Sequence, residues 1–328
     1  MRMEKKTIKY EPIEPKSMEL RQAYGQAMVK LAQMNDRVVM LDCDVAHPVC
    51  ADLFARQFPE RFFQMGIAEQ NLMGVASGLA TCGFIPFTNC FACFASKRAH
   101  DQVSISVAYA HTNVKIVGSY SGISTPNTGA THQSIDDIAT MRSIPNMMVV
   151  VPADAVETEQ AVFALADYPG PAYLRIARSP AIPPVFDRQY DFQLGKAVLL
   201  KQGSDLTLVG TGIMTSVCLR AAEALKKEHV EAAVLHVPTI KPLDVNKIVE
   251  MAKTTGAIVS AENHSIIGGL GSAISEVLVE KHPCPMERVG IPDTFCESAA
   301  EVEDLLDKYG LTCQNMVEVA KSILVRKR

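Results

Sequence analysis

Tryptophan is absent from this 328-residue chain, and aromatic residues make up only 6% of it, so any aromatic cluster stands out. Basic excess is absent too: 32 Lys and Arg face 36 Asp and Glu, a net charge of −4. With no Lys/Arg cluster before Arg326-Lys327-Arg328, the chain lacks the electrostatic footprint of a nucleic-acid binder. No apolar run approaches the roughly 18 residues that span a bilayer. The opening Met1-Arg2-Met3-Glu4-Lys5-Lys6 has no apolar signal core. These absences predict a cytoplasmic protein that binds neither nucleic acid nor membrane. Cys and His at metal spacing are also missing. Cys90-Phe91-Ala92-Cys93 is a lone CxxC without the second pair that zinc requires, so no metal site is expected in this chain. The nine cysteines are scattered and odd in number, which reads as reduced thiols. Cys90 and Cys93 are expected to be two buried thiols beside aromatics.

What is present reads as a soluble globular protein, 48% hydrophobic and 21% charged, long enough for roughly two domains. Residues 1–16, with Pro12 and Pro15, read as a surface arm. Met18–Leu31 reads as a helix with Ser17 as N-cap. Arg37–Leu41 is an apolar run ending in Asp42-Cys43-Asp44, a parallel strand with acids at its carboxyl end, where open α/β sheets bind ligands. Further strands are expected at Val114–Ser119, Met148–Val151 and Tyr173–Ile176. Helical patterns lie around Glu69–Ala80, Ser96–Ala110, Ser134–Met141 and Ala155–Ala166. The prolines of Ser179-Pro180-Ala181-Ile182-Pro183-Pro184-Val185-Phe186 break this alternation. Beyond them it resumes, with strands at Leu206–Gly210, Ala232–His236, Ala257–Ala261 and Arg288–Gly290. The helices there are Ser216–Lys227, Asp244–Thr254, Ser272–Lys281 and Ser298–Tyr309. Gly268-Gly269-Leu270-Gly271 lacks nucleotide-loop spacing and reads as a tight turn. The expected fold class is α/β, with two three-layer α/β domains: a parallel-sheet domain over 17–186 and a smaller one over 187–328.

Four features can carry chemistry. Glu69 is one acid in the small and apolar run Met65–Ala80, where Gly74 and Gly78 leave one helix face nearly bare. A carboxylate there is desolvated unless paired, which suits proton handling; an ordinary helix N-terminus, with Gln70 capping, explains it as well. Phe87, Phe91 and Phe94 have spacings that one helical turn would stack, either as core or as a wall for a flat cofactor ring. Gly129-Ala130-Thr131-His132-Gln133-Ser134 is a polar loop. Arg175-Ile176-Ala177-Arg178 ends a strand and suits an anionic group.

Together these resemble the transketolase family. Gly66-Ile67-Ala68-Glu69-Gln70-Asn71, Asp101-Gln102-Val103, Thr131-His132-Gln133 and the Tyr173–Arg178 strand occur in the family's order. Gly210-Thr211-Gly212, Thr239-Ile240-Lys241-Pro242-Leu243-Asp244, Glu262–Gly271 and Lys308–Thr312 match its C-terminal part. The resemblance spans about residues 17 to 325. It implies a pyrimidine-binding domain for thiamine diphosphate followed by a transketolase C-terminal-type domain. The diphosphate motif Gly-Asp-Gly occurs nowhere here. The chain therefore resembles the C-terminal subunit of a split transketolase, with an N-terminal subunit supplying the diphosphate and Mg2+ site in an α2β2 heterotetramer.

By that resemblance Glu69 contacts the aminopyrimidine nitrogen, aided by Gln70, with Phe91 and Phe94 packing on the ring and Asp44 close by. A two-carbon ketol unit then passes from a ketose to an aldose. His132 is implied at the donor sugar's hydroxyls, and Arg178 at a phosphate or similar anion. Departures fall on the substrate side. Thr128-Gly129 replaces the family's Asp-Gly, Tyr120 stands for a phosphate-side His, His47-Pro48 for a hydroxyl residue, and Lys97 for an aromatic or Arg. They predict a sugar other than the usual pentose phosphate, with branched or sulfonated sugars as candidates. The competing readings are a 1-deoxyxylulose-phosphate synthase-like subunit, a 2-oxo-acid dehydrogenase β subunit, and a non-catalytic binding subunit.

Overall fold

The computed structural model describes residues 18–178 and 183–327; the expected arm, Ser17 and part of the proline segment lie outside them. Among the described residues twelve strands form two sheets. In chain order they are β1 (Val38–Asp42), β2 (Phe62–Gln64), β3 (Ile85–Phe91), β4 (Lys115–Ser119), β5 (Met148–Val150) and β6 (Ala172–Ile176). Then come β7 (Val198–Lys201), β8 (Leu206–Gly210), β9 (Ala232–His236), β10 (Thr239–Lys241), β11 (Ile258–Ser265) and β12 (Met286–Ile291).

The first sheet runs β10-β5-β6-β4-β3-β1-β2 and the second β12-β11-β8-β9-β7. All pairs are parallel except β10 on β5 and β7 on β9, which are antiparallel edges. Helices cover both sheets, so β1, β4, β6, β8 and β9 are buried at every position. That is why they read as continuous apolar runs rather than alternating ones. The short strand β10 comes from the second half of the chain yet completes the first sheet. One apolar core accordingly runs through Val149 and Val151 of the first layer to Val209, Leu235 and Ile258 of the second.

The elements expected from pattern exist, with instructive differences. The first helix is Leu20–Met34, capped by a reciprocal Glu19/Gln22 capping box. The run expected as one helix over Ser96–Ala110 is three pieces: Ala92–Lys97, one turn at His100–Gln102, and a π-helix at Val103–Tyr109. The Ser96 hydroxyl donates back to the Ala92 carbonyl, and Ala99 N–H reaches Phe94 O, one residue further back than an α-helix allows. The helix expected from Ser134 begins at Asp137, because Ser134 is engaged in a bridge with Ser121 and Gly122. Phe87, Phe91 and Phe94 share no helix. Phe87 and Phe91 lie on β3, and Phe94 follows in the helix Ala92–Lys97.

Candidate active site

Parallel strands deliver their ends to one edge of a sheet, and here the adjacent β3, β4 and β6 bring Phe91, Tyr120 and Arg178 together. Glu69 opens the helix Glu69–Thr81 and is only 3% exposed. Its Oε1 accepts a 2.7 Å hydrogen bond from Arg98 Nη1, so the buried carboxylate has a counter-charge that the sequence motifs do not reveal. The Arg98 guanidinium lies 4.3 Å from the centre of the Phe94 ring, and the two hold each other by cation–π attraction. Phe94 meets the His132 ring edge-on at 5.2 Å and the Phe91 ring at 6.2 Å. Phe91 in turn packs on Tyr120 at 4.6 Å. Tyr120 adopts the left-handed conformation at φ 60°, and the Arg178 guanidinium lies 5.2 Å from the centre of its ring. A continuous set, Arg98–Phe94–His132–Phe91–Tyr120–Arg178, thus extends away from Glu69.

Other predicted residues stand apart. Gln70 is exposed, and the N-cap is Ala68 with no side-chain cap bond. Asp44 is exposed at φ 61°. Its neighbour Asp42 is the buried acid at the end of β1, with Oδ1 accepting from Val45 N–H and Gln64 Nε2. Burial raises the Asp42 carboxyl against these two donors, and its Oδ2 has no partner among the described residues. Thr128 is exposed in a single turn, bonded to Thr125. Lys97 pairs with Asp136 at 3.1 Å, on the wall of a cavity of about 400 Å3 that reaches Ser265 and Phe295. The His47 side chain is 92% exposed, 3.6 Å from Asp52, and opens onto a separate cleft with Arg21 and Gln26.

The chain matches known proteins over both halves. The model of the transketolase pyrimidine binding domain matches residues 16–181, and that of the transketolase C-terminal domain residues 195–316. The chain belongs to the transketolase family. It is 44% identical over 319 residues to the 6-deoxy-6-sulfo-D-fructose transketolase subunit of Clostridium sp. strain MSTE9, covering 97% of this chain and 98% of that protein. It is 37% identical to an apulose-4-phosphate transketolase subunit of Phocaeicola vulgatus, covering 92% and 97%. A solved split-gene transketolase, an inactive β4 tetramer, superposes with a TM-score of 0.88 at 46% identity, covering 95% of this chain and all of that one. Transketolase subunits of the split kind therefore match this chain almost end to end.

One residue of the Arg175–Arg178 stretch has a different job from the one its charge suggested. The sequence suits Arg175 to an anionic ligand together with Arg178, but the structure buries it in a pair with Asp137. Its Nε donates to Asp137 Oδ2 at 2.8 Å, and Nη2 to Asp137 Oδ1, Ser134 O and Asn263 O. Burial alone would raise the Asp137 carboxyl; Arg175 outweighs it and sets the group below the ordinary value. Since Asn263 belongs to β11, this pair ties the two sheets together rather than serving a ligand. Glu262, beside it on β11, accepts the Leu270 and Gly271 N–H groups and caps the start of the helix Leu270–Lys281.

Proposed function

We propose that this chain is the pyrimidine-side subunit of a two-chain thiamine diphosphate-dependent transketolase, moving a two-carbon ketol unit from an anionic ketose to an aldose. The single observation that carries the proposal is a buried carboxylate, Glu69, beside an aromatic wall at the carboxyl edge of a parallel sheet. The residues present fit the aminopyrimidine end of the cofactor: flat rings at Phe91 and Phe94, one buried acid, and an acceptor at Asp42 Oδ2 that lacks a donor. When bound, thiamine diphosphate supplies the electron sink for breaking and remaking the carbon–carbon bond.

The chain's own residues then orient and shield. With Oε1 held by Arg98, Glu69 Oε2 remains to hold a proton against the pyrimidine nitrogen. Phe91 and Phe94 fix the ring plane and exclude water. Gln70, exposed on the next helical position, and Asp44 at the rim border the cofactor. His132 reaches sugar hydroxyls, and Arg178, whose backbone N–H is held by Ser124 Oγ at 2.9 Å, meets the anionic end. Tyr120 lines the approach beside Phe91; Thr128, Lys97 and His47 lie outside the aromatic set and would meet substrate only at its periphery in the assembled enzyme. The partner subunit supplies the diphosphate and Mg2+ site. Its docking face here is the open side of Glu69–Thr81, where a Cβ at Gly74 or Gly78 would meet nothing, continued by exposed Ile105 and Tyr109.

The test is turnover by the chain mixed with its partner subunit, cofactor and Mg2+. Glu69→Ala should lower kcat by orders of magnitude while circular dichroism is unchanged; near-normal turnover sinks the reading. Sulfonated and branched ketoses should outperform xylulose 5-phosphate, in keeping with the substrates after which the two relatives are named. Equal or better use of the pentose phosphate argues against that substrate class.

A further inference from the structure

Cys43 and Cys90 form a thiol pair at the base of this site. Cys43 N–H donates to Asn89 O at 3.1 Å, extending the β1–β3 ladder one residue beyond the Asp42–Asn89 pair. Cys43 therefore lies beside Cys90. In a parallel ladder, residues side by side point to the same face, and both side chains enter the same core cluster, 4% and 1% exposed. Neighbouring strands lie roughly 4.8 Å apart, inside the Cα separation a disulfide accepts. Each thiol lies in the other's field: Cys90 favours the Cys43 thiolate against desolvation, and Cys90 is raised in turn by Cys43 and by burial. The Ala68 N–H, at the start of the Glu69 helix, also favours the Cys43 thiolate. Cys93, the other half of the CxxC, is pushed up by burial to about 12 and stays a thiol.

We propose that Cys43 and Cys90, rather than Cys90 and Cys93, are a redox-modification site in which a peroxide joins the two sulfurs as a disulfide, slowing turnover at the adjoining active site. The Cys43 thiolate attacks one peroxide oxygen, breaking the O–O bond and giving a sulfenic acid and a first water. The Cys90 sulfur then attacks the sulfenic sulfur, forming the S–S bond and releasing a second water. The two thiols lose both hydrogens and two electrons, and the peroxide takes them up. Forming the bond fixes both side chains in disulfide geometry and so shifts Phe91, which follows Cys90, and the Asp42–Asp44 turn that holds Cys43.

The experiment exposes the chain, assembled with its partner, to hydrogen peroxide, blocks remaining thiols, and maps peptides by mass spectrometry. The expected result is a loss of two hydrogen masses and a cross-linked peptide pair containing Cys43 and Cys90, reversed by dithiothreitol. Cys93→Ser should keep the cross-link and Cys43→Ser abolish it. A Cys90–Cys93 bridge, or oxidation without any cross-link, overturns the site; the wild-type map decides this even if a serine variant fails to fold. Turnover should fall as cross-linking rises and return on reduction. Full turnover by the cross-linked chain overturns the coupling to activity. That coupling rests on the transketolase reading, whose own failure shows separately as no turnover in the reduced control.

Discussion

Glu69 and Arg98 show how one pair can reconcile burial with charge. The carboxylate lies in an apolar helix start, and a lone ion there is costly. The structure meets that cost with a half-exposed arginine braced on Phe94. Arg98→Met should leave the acid uncompensated. Because the guanidinium is screened by solvent, the expected loss is at the low end, about 1 kcal/mol, read as a shift in the urea midpoint at low salt. An unchanged midpoint would mean that the pair contributes nothing to stability. Arg98 is inconspicuous in the sequence because its partner lies 29 positions away, across the helix Glu69–Thr81, strand β3 and the helix Ala92–Lys97.

At the scale of elements, the join between β6, β11 and the helix Asp137–Ser143 governs how the two sheets sit. Asp137 is below its ordinary value in the folded chain because Arg175 stabilises the carboxylate. A depressed folded value means that the pair's stabilisation is complete above the unfolded value, about 3.9. It is lost as pH falls through the lower, folded one. Asp137→Asn should cost about 3 kcal/mol near neutral pH, since Arg175 is left buried and unpaired. In urea unfolding at a series of pH values, the gap between wild type and variant should close below about pH 4. A gap constant with pH would show that the carboxylate's charge is not what holds the join. Gly122 sharpens the point, with φ +63° and a Cβ that would run into the Asn263 amide 2.3 Å away. Gly122→Ala should therefore lower the thermal midpoint more than alanine substitution at open Gly74.

For the whole molecule, the open face of the helix Glu69–Thr81 is an apolar area left uncovered among the described residues. Ile67, Ile105 and Tyr109 are exposed on or beside it, and apolar area of that kind marks association. Tyr109→Glu should weaken association with the partner subunit, seen in sedimentation velocity as free subunits at concentrations where wild type assembles. Intact assembly of the variant would move the interface elsewhere. No helix among the described residues is long and apolar enough to cross a membrane.

Sequence alone determined the class of fold and singled out candidate residues, of which Glu69, Phe91, Phe94, Tyr120, His132 and Arg178 come together in the structure. Strands such as β8 and β9 are legible because burial on both faces demands an unbroken apolar run. The Glu69 and Thr131-His132-Gln133 motifs are legible because their chemistry is local. What sequence could not decide depends on distant neighbours. The π-helix at Val103–Tyr109 and the return of β10 to the first sheet are settled by hydrogen bonds that tertiary packing selects. Which of Asp42 and Asp44 is buried, whether Arg175 faces a ligand or Asp137, and whether Cys90 meets Cys93 or Cys43 are likewise decided by strand register. A residue type states which interactions a side chain can make, whereas only the folded chain states which partner comes within reach.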